Sequence, residues 1–165
     1  MDYKIGDVGP GRGNIFWVNS GTESGPKFME LAPSDWYQGS GGQDVAMVWA
    51  LEESDVKKVQ KNSRAVGHGQ RNADAIDAAD IVCGPLFQIS LSTRSEEWTL
   101  PTIEELLLIY SNLHLKGLGD LKGHQYWSSS VFVSPYVLSV DFRSGEEMGT
   151  HFGTALNVRP VRGLF

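Results

Sequence analysis

Four histidines, a lone cysteine and a run of three serines are the residues of this chain whose types could carry chemistry. His68, His114, His124 and His151 include no pair spaced four apart on one helix, the arrangement a zinc site would use. Cys83 has no second cysteine, so it can form no intrachain disulfide and cannot supply a reactive thiol pair. Ser128-Ser129-Ser130 lacks a nucleophile-elbow context, and no Ser/His/Asp order is recognisable. Gly67-His68-Gly69-Gln70-Arg71-Asn72 could be mistaken for a phosphate loop. It lacks the third glycine, no parallel strand precedes it, and it reads as a turn with Asn72 as N-cap. Calcium would need acidic and amide oxygens close together, whereas Glu146-Glu147 reads as the solvated edge of a hairpin. The expectation is a protein with no catalytic residues, no metal and no cofactor. Tyr136, between Pro135 and Val137 on an expected loop, is the candidate for an exposed stacking platform.

The elements that would hold these residues are marked by glycine, proline and hydrophobic period. Asn14–Val18 reads as a first strand after the glycine-rich lead 6–13, and Phe28–Ala32 as a second. Gly39-Ser40-Gly41-Gly42 reads as a flexible exposed loop, and 52–64 as a charged surface loop or frayed helical insertion. The first of two helices should run from Asn72 to Cys83, stopped by Gly84-Pro85. The second should open on the capping box Thr102-Ile103-Glu104-Glu105. Its apolar stripe is Ile103, Leu106, Leu107, Tyr110 and Leu113, and it should end near Lys116-Gly117. After Gly123 the chain turns to strands. These are Tyr126–Ser130, then Leu138, Val140 and Phe142 alternating against Ser139, Asp141 and Arg143. A Ser144-Gly145 turn follows, and last a strand Leu156–Arg162 with Pro160 at an edge or end. Strands at both ends, two helices between and a β-rich C-terminal half indicate a single α+β domain over 1–165.

Composition agrees and closes off several functions. The chain has 165 residues, 41% hydrophobic and 21% charged, which suits one globular domain with a real core. Its 19 glycines and 7 prolines favour turns over a helical bundle. A net charge of −6 argues against nucleic acid, whose binders must neutralise phosphates. No stretch approaches the roughly 18–20 apolar residues that would span a bilayer, so no membrane partner is expected. The start at Met1-Asp2-Tyr3-Lys4 lacks the basic and apolar regions of a signal peptide.

Several phrases in order carry a resemblance. They are Gly6-Asp7-Val8-Gly9-Pro10-Gly11 before Ile15-Phe16-Trp17-Val18, Glu30-Leu31-Ala32-Pro33-Ser34-Asp35-Trp36, and Gly67-His68-Gly69 before Asn72. Then come Trp98-Thr99-Leu100-Pro101-Thr102 with Glu105-Leu106, Tyr126-Trp127-Ser128-Ser129-Ser130, and Val158-Arg159-Pro160-Val161-Arg162. That order resembles the bacterial family named for the C-terminal domain of the Legionella collagen-like adhesin (the DUF1566 family). The resemblance implies a C-type-lectin-like fold. The first and last strands would pair, Ile15–Val18 beside Val158–Arg162, with two flanking helices and a variable second sheet over 128–154. Trp98, Trp127, Tyr110 and Phe142 would be structural. Arg143, Glu146, Glu147, Thr150 and His151 would then surround Tyr136 as the ligand-binding set.

Family members occur in bacterial surface proteins and phage virions, and the best-known one binds sulfated glycans as a trimer. This chain departs from the pattern in its single cysteine, in its 52–64 segment and in its negative charge, so glycosaminoglycan binding is not carried over. The function expected is non-catalytic recognition of a surface glycan or protein by a homo-oligomer, a trimer by resemblance, or within a larger virion assembly. With no signal and no disulfide, the expected location is a virion assembled in the host cytoplasm, as a capsid decoration or tail-fibre adhesin. Alternatives are a purely structural virion or surface-layer protein, a domain of an exported cell-surface adhesin, and a sulfatase-activating type of enzyme.

Overall fold

A hairpin opens the fold, its ends held where Asn19 N–H donates to Lys27 C=O at 2.8 Å. In the computed structural model, which describes residues 2–21, 24–37, 41–95 and 97–165, β1 (Asn14–Val18) turns back antiparallel on β2 (Phe28–Leu31). The other edge of β2 is taken by the C-terminal strand β8 (Val161–Leu164), with Leu31 opposite Val161 and Phe28 opposite Leu164. The first and last strands therefore share a three-stranded sheet without pairing, which corrects the expectation that they touch. The hairpin places β2 between them.

The second sheet has five strands in the order β3-β7-β4-β5-β6. They are β3 (Val45–Met47), β4 (Gln125–Val133), β5 (Tyr136–Asp141), β6 (Glu146–His151) and β7 (Leu156–Val158). The stretch read as one terminal strand is thus two, in different sheets. Pro160 has no N–H to give a ladder, its carbonyl accepts from Ala32 N–H at 2.8 Å, and Arg159 turns inward. The strand around Leu138 and Val140 is not half wet. Val137 to Asp141 are all buried, because core packs on both faces of β5.

Four α-helices occur among the described residues where two were expected. α1 (Glu53–Lys58) lies in the charged 52–64 segment and buries only Val56. α2 (Gly69–Ala78) starts before Asn72, so Asn72 is not its cap. The amide is 1% exposed inside the helix and bonds Ser63 N–H, Ser63 C=O and the Ser129 hydroxyl. Asp80 at φ 54° ends that run. Gly84-Pro85 opens α3 (Gly84–Thr93) instead of stopping a helix, since proline in a first turn loses no helical bond.

α4 (Ile103–Asn112) has the expected capping box. Thr102 Oγ1 accepts from Glu105 N–H at 3.3 Å, and Glu105 returns a carboxylate oxygen to Thr102 N–H at 2.8 Å. A 3-10 turn, His114–Lys116, and Gly117 at φ 70° finish it. Its buried stripe of Ile103, Leu106, Ile109 and Leu113 packs on Phe16, Leu31, Tyr126 and Val140, joining the two sheets. A second cluster, with Trp49, Val56, Ile76, Ile89 and Trp127, fills the space beneath the other helices. Of the loop read at 39–42, Gly39 and Ser40 lie outside the described residues; Gly41 and Gly42 take positive φ. No helix among the described residues is long and apolar enough to cross a membrane.

Buried charge also shapes the fold. The Glu30 carboxylate accepts from Gly11 N–H and Gly13 N–H and pairs with Arg162 Nε at 2.9 Å. A Cβ at Gly9 would stand 2.5 Å from that carboxyl, so the glycine-rich lead is a wrapping for one buried acid.

Candidate functional site

Tyr136 is the first residue of β5, not part of a loop, because Val137 and Leu138 behind it are drawn into the core. Its side chain is left at the rim, 44% exposed. The β5–β6 register puts Tyr136 opposite His151, Leu138 opposite Gly149 and Val140 opposite Glu147, all on one face. The glycine leaves that face open. A Cβ at Gly149 would meet Tyr136 Cβ at 3.5 Å, an ordinary contact, so any other residue would fill the space. The result is an open depression of about 420 Å³ lined by Phe132, Tyr136, Leu138, Glu147 and Gly149.

Glu147 is the charged group of its lining, and His151 lies across the strand pair from Tyr136. Glu147 receives both terminal nitrogens of Arg64, one at 2.7 Å, and this hydrogen-bonded partner holds its carboxyl below the usual range. His151 stacks on Phe152 with centroids 4.3 Å apart, and its Nδ1 accepts from Gly153 N–H at 3.1 Å. That bond leaves Nε2 as the protonated nitrogen of the neutral ring.

The remaining candidates point elsewhere. Thr150 lies on the opposite face, its hydroxyl 2.7 Å from that of Ser139. Glu146 shares that opposite face, across from Asp141. Arg143 sits in the β5–β6 turn at the far end of the strands, where its Nη2 donates to Asp141 Oδ2 at 2.6 Å and its hydrogen bonds push the Asp141 carboxyl down to about 2. The structure thus gathers Tyr136, Glu147 and His151, and separates them from Arg143, Glu146 and Thr150. Phe132, Gly149 and Arg64 were not anticipated. Glycine inside a strand pattern is a usable signal of close approach, whereas nothing in the sequence links Arg64 to a strand 83 residues away.

The groups first considered for chemistry are occupied by structure. Ser128, Ser129 and Ser130 are wholly buried. The Ser128 hydroxyl donates to Leu138 C=O, that of Ser129 to Pro101 C=O and that of Ser130 to Ser63 C=O. Ser63 Oγ stands 2.7 Å from His68 Nδ1, but that hydroxyl also accepts from Ala65 N–H at 3.2 Å, which makes it part of a turn. Burial pushes the Cys83 thiol up to about 12, far from a reactive thiolate. Among the described residues no group of three His, Cys, Asp or Glu side chains is placed to hold a metal ion. Trp98, expected to be structural, is half-buried against the core with the Arg162 guanidinium 4.7 Å above its ring. A larger open cleft of about 710 Å³ lies between α2 and α3, floored by Ile76, Leu86 and Trp98 and bordered by Asp77 and Asp80. None of the ligand-binding candidates reaches it. No protein-family model matches this chain, and no curated protein matches it.

Proposed function

We propose that the chain is a non-catalytic binding module of the C-type-lectin-like kind found in the collagen-like adhesin family, recognising a surface glycan or protein through the face around Tyr136. The observation that carries this reading is the half-exposed Tyr136 ring beside a depression that Gly149 keeps open, on a strand anchored by buried neighbours. An aromatic face offers a sugar ring or an apolar side chain a stacking surface. Glu147, oriented by Arg64, and the Nε2–H of His151 add an acceptor and a donor at the border. Exposed Phe132 and Val133 at the hairpin tip extend the apolar area toward a protein ligand.

The proposed setting is a virion, as a capsid decoration or tail-fibre component acting as a homo-oligomer or in a larger assembly. The resemblance to the family supports it. Weak single sites gain from such multiplicity, since linked sites bind at high effective concentration.

The test is a glycan-array scan of the intact chain and of Tyr136→Ala. The expected outcome is a signal that the substitution abolishes, with an unfolding midpoint close to the parent because the ring is half-exposed. A signal that survives the substitution unchanged would move the site away from this face.

A further inference from the structure

β6 is an outer strand of the five-stranded sheet, and among the described residues nothing pairs with its far side. Five of its six residues are exposed. Proteins usually blunt such an edge with charged side chains, above all lysine, or with proline, a bulge or a covering element. This one runs Glu146-Glu147-Met148-Gly149-Thr150-His151, with two glutamates at its start but no proline, lysine or bulge, in regular register with β5.

The direction of its free main-chain groups follows from alternation. Phe152 N–H donates inward to Pro135 C=O at 3.1 Å, so within β6 the groups of Thr150, Met148 and Glu146 also face β5. Glu147, Gly149 and His151 therefore turn their main-chain groups outward.

We propose that β6 pairs antiparallel with β6 of a second copy of this chain, about a two-fold axis through Gly149. In that register Gly149 exchanges both of its hydrogen bonds with Gly149 of the second copy, and Glu147 lies opposite His151 on either side. Every outward residue is used, which is the self-complementarity a two-fold contact requires. The charges agree with it. An acid already oriented by Arg64 faces an imidazole whose Nδ1 is engaged with Gly153, leaving Nε2–H to donate across the axis. A register centred on Glu147 would instead set two carboxylates against each other. The two sheets would become one of ten strands.

This contact also changes the binding face. Leu138, Gly149, Gly149 of the copy and Leu138 of the copy would follow one another across the axis with no side chain at the centre. The two depressions would merge into one groove with a Tyr136 on each flank, which suits an elongated ligand such as a glycan chain. The merged groove rests on the binding role proposed above; the strand pairing does not.

Sedimentation velocity from micromolar to millimolar concentration, with amide exchange on the same samples, tests the pairing. A dimer should grow in with concentration while the Gly149 and His151 amides slow their exchange. Gly149→Pro removes the central donor without touching a bond to β5 and should leave a monomer. If that variant fails to fold, His151→Glu puts an acid opposite Glu147 and should weaken association about tenfold or more, and the added change Glu147→His should restore it. A monomer at every concentration, a trimer, or a dimer indifferent to these changes overturns the pairing. A monomer that still binds glycan fails the pairing alone, whereas a dimer that binds none on the array fails the proposed site alone.

Discussion

Arg159 and Asp44 meet in the interior, their side chains 1% and 3% exposed, with Arg159 Nη2 2.8 Å from Asp44 Oδ2. The guanidinium also donates to the carbonyls of Ala32, Gly119 and Asp120, and the Tyr126 hydroxyl donates to Asp44 at 2.6 Å. The pair thereby ties the turn between β7 and β8 to β4, to the loop after α4 and to the segment before β3.

Because the charges are buried and fully bonded, removing one partner strands the other. Asp44→Ala should lower unfolding stability by about 3–5 kcal/mol, read as a shift of the urea midpoint at unchanged slope. A loss below about 1 kcal/mol, typical of an exposed pair, would contradict this account of the junction.

Glu105 gives a pH signature. Burial pushes its carboxyl up from an ordinary 4.5 to about 7, against the N–H groups of Thr102 and Gly67 that favour its charged form. A carboxyl raised on folding binds its proton more tightly in the folded state. Its contribution is therefore complete below about pH 4.5 and is lost as pH rises through about 7. Relative to Glu105→Gln, the parent should lose up to about 3 kcal/mol between those limits, measured by urea unfolding at several pH values. Parallel curves for the two proteins would sink the assignment. Asp141, held low by Arg143, works in the opposite sense and only under more acidic conditions.

Gly13 tests the packing at the start of β1. A Cβ there would stand 1.6 Å from Leu31 C=O, a backbone atom that cannot swing aside. Gly13→Ala should cost about 3 kcal/mol or more, whereas Gly21→Ala, where a Cβ meets nothing within 4 Å, carries only the strain of its φ of 86°. Thermal unfolding of the two variants side by side decides it. Equal losses would mean that β1 and β2 can slide apart there.

What was legible in the sequence was what is decided locally. The Thr102–Glu105 box spans four residues, so its chemistry can be read from the string and the structure repeats it. Tyr126–Ser130 likewise lies in a strand. Asn72 was misread because its partners, Ser63 and Ser129, are 9 and 57 residues away, and a buried amide is better satisfied there than at a cap. Gly84-Pro85 is ambiguous in principle, since such a pair suits a helix end as well as a first turn, and here it only opens α3. The split of the last strand depends on Arg159 finding Asp44 across 115 residues. At the candidate site the pattern reads Tyr136 as exposed, which it is, but on a loop, whereas it opens β5. Its expected neighbours rest on the lectin-like sheet the resemblance implies, while the pleat brings Glu147 and His151 to its face and turns Glu146 and Thr150 away.

The buried serines of β4 have a consequence for how this surface can change. Between Trp127 and Val131 the pairing with β5 slips, and there Ser129 and Ser130 tie the strand to the 62–63 segment and the start of α4, while the Ser128 carbonyl accepts from Trp49 Nε1. Past that knot Phe132 and Val133 stand exposed. Substitutions at those two exposed positions should cost the fold little, whereas those at the buried serines should not. The hairpin tip is thus placed where new recognition can be tried without risking the scaffold that presents it.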